Sequence, residues 1–292
     1  MQAIWELDFY SRPLRDENEK KVWEVLICES PLKVNQDPDS LFKYSQFCSH
    51  NTVNSLFLRE ALETAIAVTP QKPQKIRFFR RQMNNMITKA CNELGILPVP
   101  SRRTYALERW LAQRLEHFYP SQPGYDPTAA HSASVQYPGL NAIPLPEAVR
   151  GDKGDKWAFV TLEGAAFTEM NQWDIAFGEA FPLELAGLTP DAKIPGFLVF
   201  SNRALPLAGW LSGLEMASLD FEGGKQPKVR LETGVSDSWI LANLTDSATL
   251  KEGKGFQEAK EKANQIHFLA IQSTPESTSF AGFWLLKGCN SY

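Results

Sequence analysis

Apolar and polar residues alternate at the start of the chain, and this alternation restricts the possible folds more than any other feature. Trp5, Leu7 and Phe9 are each followed by a polar or amphipathic residue, which is the period of a half-buried strand. A polar turn ends this strand, and residues 22–28 form a second apolar run. We therefore predict an antiparallel hairpin, which a third strand over residues 41–47 extends.

Helical and extended patterns alternate in the next part of the chain. Asn51 or Asn54 can cap a helix that runs to about Ala67. The elements that follow are a strand over residues 75–79, a helix that ends at Gly95, a strand over residues 96–99 and a helix that begins at Ser101 or Thr104. This order, three strands and then helix, strand, helix, strand, helix, is similar to that of ribonuclease H-like domains. We predict such a domain over residues 1–118.

The rest of the chain predicts a linker and a second domain. Residues 119–155 hold six prolines and four glycines without a periodic apolar pattern, which is typical of an interdomain linker. Residues 156–292 predict an α+β domain, so the whole chain belongs to the α+β or α/β class. Its predicted strands cover 157–162, 195–201, 215–222, 228–235, 238–244, 266–272 and 280–287, and its predicted helices lie near 165–171, 204–213 and 256–264.

Charge is distributed unevenly along the chain. Residues 72–114, here called the basic stretch, carry ten basic and two acidic residues, although the whole chain has a formal net charge of −4. Clustered Lys and Arg bind phosphate by releasing counterions, and a solvated basic face is the alternative interpretation. For Phe78 and Phe79, core packing is favoured over base stacking. We predict that six cations contact phosphate: Arg77, Arg80, Arg81, Lys89, Arg102 and Arg103.

The predicted fold also invites a search for a nuclease site. Such a site needs several acids that converge on two divalent ions. Asp8 lies on the first strand, but Arg80 and Arg81 stand where the strand over residues 75–79 would have to supply another acid. We therefore predict no metal site, no cofactor and no catalytic residue, with a metal-dependent nuclease as the less favoured alternative. Asp8 is interpreted as a hydrogen-bond acceptor paired with a nearby arginine.

Several sequence stretches are similar to one known family. They include WELDFYSRP at residues 5–13, KKVWEVLIC at 20–28, KIRFFRRQM at 75–83, ITKAC at 87–91, VPSRR at 99–103, KWAFV at 156–160, HFLAIQ at 267–272 and GFWLL at 282–286. Through these stretches the chain resembles the TAB/ATAB family of RNA-binding proteins of oxygenic phototrophs. The resemblance implies a non-enzymatic protein that binds single-stranded, AU-rich leader RNA and activates translation of photosystem messages, psaB foremost.

The resemblance has further implications for partners and location. It implies that Trp284, Leu285 and Leu286 form a functional C-terminal motif, for which core packing is the alternative. Translation or photosystem assembly factors are implied as additional partners, and a scaffold for photosystem assembly is the alternative function. No apolar run is long enough to span a bilayer, and the first residues lack a signal-peptide pattern. We expect a cyanobacterial, cytoplasmic protein.

Overall fold

The computed structural model describes residues 3–69, 71–130, 141–152 and 154–288. These residues form two compact units. The first unit holds the described residues 3–30 and 39–130, and the second holds 31–38 and 141–288. Each unit has its own sheets and its own apolar core.

The first unit contains one sheet of five strands. Its strands are β1 (Ile4–Arg15), β2 (Lys21–Glu29), β3 (Lys43–Cys48), β4 (Lys75–Phe78) and β5 (Leu97–Pro100), and its helices are α1 (Ser55–Ala67), α2 (Asn84–Glu93), α3 (Tyr105–Gln113) and α4 (Pro127–Ala130). The strand order is β3-β2-β1-β4-β5. The first three strands are antiparallel, whereas β4 and β5 run parallel to β1. The predicted order of elements is therefore observed, and the assignment to the ribonuclease H-like fold stays a prediction.

The alternation in β1 places different chemistry on the two faces of this sheet. Trp5, Leu7 and Phe9 pack with α1 and α2 in the larger core of the unit. Asn54 caps α1, because its side chain accepts a hydrogen bond of 2.9 Å from the backbone N–H of Phe57. The residues between the apolar ones point to the opposite face, which α3 covers through Leu107 and its neighbours. Both faces of the sheet are therefore buried.

The second unit contains two sheets, with orders β10-β11-β12-β6 and β7-β9-β13-β14-β8. Its strands are β6 (Ile143–Pro144), β7 (Lys156–Glu163), β8 (Ile175–Glu179), β9 (Lys193–Phe200), β10 (Met216–Glu222), β11 (Lys228–Thr233), β12 (Asp237–Asn243), β13 (Ile266–Gln272) and β14 (Phe280–Lys287), and its helices are α5 (Ala204–Ser212) and α6 (Ser247–Lys262). The seven strands predicted here are all present, and the mixed α+β class is confirmed. The short strands β6 and β8 were not predicted.

Helix α6 begins nine residues before the prediction near residue 256. Asp246 caps it by accepting hydrogen bonds from the backbone N–H groups of Ala248 and Thr249. Gly253 interrupts the helical pattern in the sequence, but it is required by packing, since a Cβ at this position would lie 2.6 Å from the ring of Phe221. The predicted helix near 256–264 therefore covers only the last part of α6.

Residues of the predicted linker over 119–155 pack within both units. In the first unit, Tyr119 is fully buried and Tyr125 forms a backbone bridge with Leu14. In the second unit, Leu145 and Val149 belong to the apolar core. The prolines in the described parts of this segment fit its irregular paths against folded strands, where their missing N–H groups cost little.

Candidate nucleic-acid interface

The structure divides the basic stretch into a buried half and an exposed part. Five arginines are between 2% and 8% exposed, namely Arg77, Arg80, Arg102, Arg103 and Arg114. Three cations are exposed, namely Lys72, Arg81 and Lys89, while Lys75 and Arg109 are half-buried. The local charge of the sequence is therefore not the charge that solvent meets.

Asp8 is the centre of the buried half. Strand β4 runs parallel to β1, and the residues after β4 bring Arg80 beside Asp8. Arg80 Nε donates to Asp8 Oδ1 over 2.6 Å, and Arg12 Nη1 donates to Asp8 Oδ2 over 2.9 Å. The Arg80 guanidinium also lies 3.8 Å from the ring centroid of Tyr10, which is a cation–π distance. Asp8 is thus the hydrogen-bond acceptor that its position in the sequence suggested.

Glu24 on β2 is the second buried carboxylate. It accepts a hydrogen bond of 3.0 Å from Arg12 Nε and one of 2.5 Å from the hydroxyl of Tyr119. Arg114 Nη2 donates to its other oxygen, and the Arg114 guanidinium lies 3.9 Å from the ring centroid of Phe118. Arg12 therefore bridges Asp8 and Glu24, and it joins the two carboxylates into one network.

Glu6 and Asp8 are two residues apart on the same face, yet their acidities shift in opposite directions. Burial raises the pKa of Glu6 to about 8, although hydrogen bonds from the Leu107 N–H and the Ser30 hydroxyl work against that rise. Burial alone would also raise the pKa of Asp8, but the charges of Arg80 and Arg12 hold it below the ordinary value. Of these two groups, Asp8 is therefore the anion at neutral pH, and Glu6 is mostly protonated.

Four of the six predicted phosphate contacts lie in the buried half. Arg77, Arg80, Arg102 and Arg103 are inside the unit, so they cannot reach a phosphate group from this conformation. Strands β4 and β5 are adjacent, as predicted, but this adjacency does not place the arginines that follow them on an open edge. Phe78 is also buried, and Phe79 packs with the small core beneath α3.

The other two predicted contacts are exposed, with Lys89 on the solvent side of α2 and Arg81 in the helical turn just before it. This helix buries Ile87, Ala90 and Cys91, so its opposite side faces water. We define the α2 outer face as Arg81, Asn85, Lys89 and Asn92. All four residues are exposed, and their spacing places them along one side of the helix. The face combines two cations with two amides.

Two contacts near the α2 outer face involve negative charge at the end of the helix. Glu93 at the end of α2 lies 3.6 Å from Arg59 Nη1, which offsets its charge. Lys72 Nζ donates a hydrogen bond of 2.6 Å to the Leu94 carbonyl oxygen, where the end of the helix carries partial negative charge. The α2 outer face therefore holds two of the three exposed cations of the basic stretch.

Comparison with known proteins agrees with the similarity seen in the sequence. A family model for the N-terminal part of the RNA-binding protein Tab2/Atab2 matches residues 4–114, and a model for its C-terminal domain matches residues 132–287. The chain belongs to the Tab2/Atab2 family of RNA-binding proteins. The N-terminal match includes β1, the basic stretch and the charged residues of the buried network, so this Tab2/Atab2 region contains the α2 outer face.

Two Tab2/Atab2 relatives show the extent of the similarity. The chloroplastic TAB2 homologues of Zea mays and Arabidopsis thaliana are each 36% identical over 289 residues, which is 97% of this chain. The matched region covers 70% of the maize protein and 74% of the Arabidopsis protein. A solved structure of a simian T-cell lymphotropic virus intasome with a PP2A regulatory subunit matches at 14% identity with a TM-score of 0.24, over 54% of this chain and 64% of that one.

The C-terminal motif that the family resemblance implied for this Tab2/Atab2 chain lies in β14. Trp284, Leu285 and Leu286 are all buried. Trp284 and Leu286 pack with α5 and the neighbouring strands in the core of the second unit. Gly282 makes room for this arrangement, because a Cβ there would lie 2.2 Å from the Trp284 ring. Core packing therefore accounts for the positions of these three side chains.

Two further observations concern metals and membranes. Within the described ranges, no three His, Cys, Asp or Glu side chains are placed to hold a metal ion. In the same part of the chain, no helix is both long and apolar enough to cross a bilayer. The acids on β1 that a two-metal site would use are instead bonded to arginines and to backbone N–H groups.

Proposed function

We propose that this protein binds the single-stranded, AU-rich leaders of photosystem messages and promotes their translation during photosystem biogenesis. The observation that carries the proposal is the match of both RNA-binding Tab2/Atab2 models along nearly the whole chain. RNA binding needs cations that can reach a phosphate backbone. In the basic stretch, the α2 outer face offers such cations.

On this proposal, Arg81 and Lys89 contact phosphate, and Asn85 and Asn92 contact sugar or base edges. Arg81 presents a planar fork that suits phosphate oxygens, and Lys89 acts as a point charge. The amides of Asn85 and Asn92 can both donate and accept hydrogen bonds. The buried arginines Arg77, Arg80, Arg102 and Arg103 act indirectly, by holding the sheet on which α2 packs.

Binding of a labelled RNA to charge-reversed variants tests the proposed interface. The double variant Arg81→Glu, Lys89→Glu is titrated against a fluorescein-labelled, AU-rich, single-stranded RNA of about 20 nucleotides at several salt concentrations. We expect at least a tenfold loss of affinity, and a salt slope that is shallower by roughly 1.4 because about two phosphate contacts are lost.

The control variant is Lys251→Glu, Lys254→Glu on α6, where both lysines are exposed. It changes the net charge by the same amount in the other unit. If both double variants lose affinity equally, the effect comes from net charge, and the assignment to the α2 outer face is wrong. A melting curve for each variant shows whether the fold is intact.

A translation assay tests the proposed consequence of binding. A reporter message with an AU-rich photosystem leader is translated in a cell-free extract with and without the protein, beside a reporter whose leader has scrambled, GC-rich sequence. We expect stimulation of the first reporter only, and loss of stimulation with the Arg81→Glu, Lys89→Glu variant. Equal stimulation of both reporters would contradict the proposed target.

A further inference from the structure

The second unit contains a segment whose charge is the opposite of the basic stretch. Residues 164–192, here called the acidic stretch, contain five acids and no Lys, Arg or His. The acids are Glu169, Asp174, Glu179, Glu184 and Asp191. Four of them are exposed, and Glu179 is half-buried. Unlike the basic stretch, this segment keeps most of its charge in contact with solvent.

The strand β8 lies in the middle of the acidic stretch and at one end of its sheet. Among the described residues, β8 pairs with β14 alone. The backbone N–H of Phe280 donates to the Asp174 carbonyl oxygen over 2.8 Å. In a parallel ladder the residues that bond to one neighbour alternate with those that point away. The backbone groups of Ile175 and Phe177 therefore point outward, away from β14.

Apolar side chains accompany this open backbone edge. Phe177 is 37% exposed and Leu205, on the adjacent helix α5, is 58% exposed. Pro206 on the same helix is also exposed, and the ring of Phe177 lies beside Gly209 of α5. Most proteins protect an edge strand with a lysine, a proline or a bulge. The five residues of β8 include neither a lysine nor a proline.

We propose that the outer edge of β8 binds an extended, basic segment of a partner protein by strand addition. Backbone groups of Ile175 and Phe177 would form the hydrogen bonds. Phe177 and Leu205 would contact an apolar side chain of the segment. Lysines or arginines on either side of that residue would lie near the acids of the acidic stretch.

Charge complementarity selects this occupant over two others. RNA is disfavoured because a segment with five acidic and no basic side chains repels phosphate. A second copy is disfavoured because pairing of two β8 strands would bring two acidic stretches, each with five acids and no Lys, Arg or His, to one edge, where their like charges repel. An extended, basic protein segment can form backbone hydrogen bonds with β8, contact Phe177 and Leu205, and pair its positive charge with the acids.

Three fluorescein-labelled peptides test the proposal on the full chain. The first is basic and has alternating apolar residues, K-R-V-T-V-T-V-K-R. The second replaces each K and R with E, and the third is the basic peptide with alternate amides methylated, which removes the strand hydrogen bonds. By fluorescence anisotropy, we expect the basic peptide to bind with micromolar affinity, at least tenfold tighter than the other two. Absence of binding by the basic peptide, or equal binding by the methylated peptide, would overturn the proposal.

Variants of the protein locate the binding. Phe177→Ser should weaken binding of the basic peptide about tenfold, since exposed aromatic anchors are typical hot spots. Leu56→Ser makes a similar change on α1 of the first unit, where Leu56 is exposed, and it should have no effect. Asp174→Lys, which keeps Phe177, should also weaken binding at low salt. Equal effects of Phe177→Ser and Leu56→Ser would contradict the location.

RNA competition separates this surface from the proposed RNA interface. Unlabelled AU-rich RNA should not displace the basic peptide from the protein, and Arg81→Glu, Lys89→Glu should bind the peptide as the native chain does. Displacement of the peptide by RNA would overturn the proposal, because it would indicate one shared surface. Failure of RNA binding in the earlier assay would leave this result unaffected.

Discussion

The basic stretch and the acidic stretch are both strongly charged in sequence, but the fold treats them differently. Half of the ten cations in the basic stretch are buried, whereas four of the five acids in the acidic stretch are exposed. The difference follows from what lies next to each segment. The charge that solvent meets therefore depends on where the fold places each segment in its sheet.

The neighbours of the two segments differ in position and in charge. The basic stretch contains β4, which pairs with β1 at the centre of its sheet, and β1 carries Glu6 and Asp8. The acidic stretch contains β8, which is an outer strand and pairs with the apolar strand β14. Charged residues beside a central strand are enclosed by the strands and helices around it. An outer strand has one side without a neighbouring strand, so charged residues near it stay accessible to solvent. Four predictions test this comparison.

The largest effect is expected from Asp8→Ala. This change removes the carboxylate that Arg12 and Arg80 share, while both arginines stay buried. Removing one partner of a buried ion pair typically lowers the free energy of unfolding by about 3–5 kcal/mol. Urea unfolding followed by circular dichroism measures it. The matched variant Asp174→Ala makes the same chemical change at an exposed site of the acidic stretch, where the cost should be below roughly 0.5 kcal/mol. Similar values for the two variants would show that the comparison does not hold.

A smaller effect separates two adjacent arginines of the basic stretch. Arg80→Gln removes one charged partner of Asp8, and we expect a loss of about 2 kcal/mol in the free energy of unfolding, because Arg12 still pairs with Asp8. Arg81→Gln should change stability by less than about 0.5 kcal/mol while it weakens RNA binding. At a temperature where both variants are folded, Arg80→Gln should bind RNA as the native chain does. If Arg80→Gln weakens RNA binding and Arg81→Gln does not, Arg80 belongs to the RNA interface and Arg81 does not.

The third effect depends on pH and concerns Glu6. Burial raises its pKa to about 8 from an ordinary value of 4.5. Between these values the unfolded chain releases the proton and the folded chain keeps it, so the free energy of unfolding falls as pH rises. Glu6→Gln cannot ionise, and its stability relative to the native chain should rise by up to about 1.4 kcal/mol per pH unit in this window.

Urea unfolding of the native chain and Glu6→Gln at several pH values measures this trend. Asp8 contributes in the opposite sense, because its pKa is lowered in the folded chain. Its stabilisation is present above the ordinary value of 3.8 and is lost as pH falls through the lower, folded value. The two carboxylates therefore act in different pH windows. A difference between the native chain and Glu6→Gln that is constant with pH would mean that Glu6 is ionised in the fold.

Much of the fold could be predicted from the sequence, and less of the interface. The period of β1 and the cap at Asn54 are local patterns, so they predict local elements well. The burial of Arg77 or Arg102 depends on which strand lies beside β4, and that pairing spans more than sixty residues of chain. The weak strand β8 was missed because five residues with one glycine carry too short a pattern. Its open edge follows from the order of the strands in the sheet, which a local sequence pattern does not predict.

The smallest effect is expected from removing charge in the acidic stretch. The double variant Glu169→Gln, Asp174→Asn keeps the shape of two exposed side chains and relieves repulsion among like charges. We expect stability to rise by a few tenths of a kcal/mol at low salt, roughly 0.3, and the gain to vanish near 1 M salt because screening removes the repulsion. Thermal unfolding at two salt concentrations measures it. A loss above about 1 kcal/mol would mean that these acids are held by partners within the fold, as the basic stretch is, and would remove the contrast between the two segments.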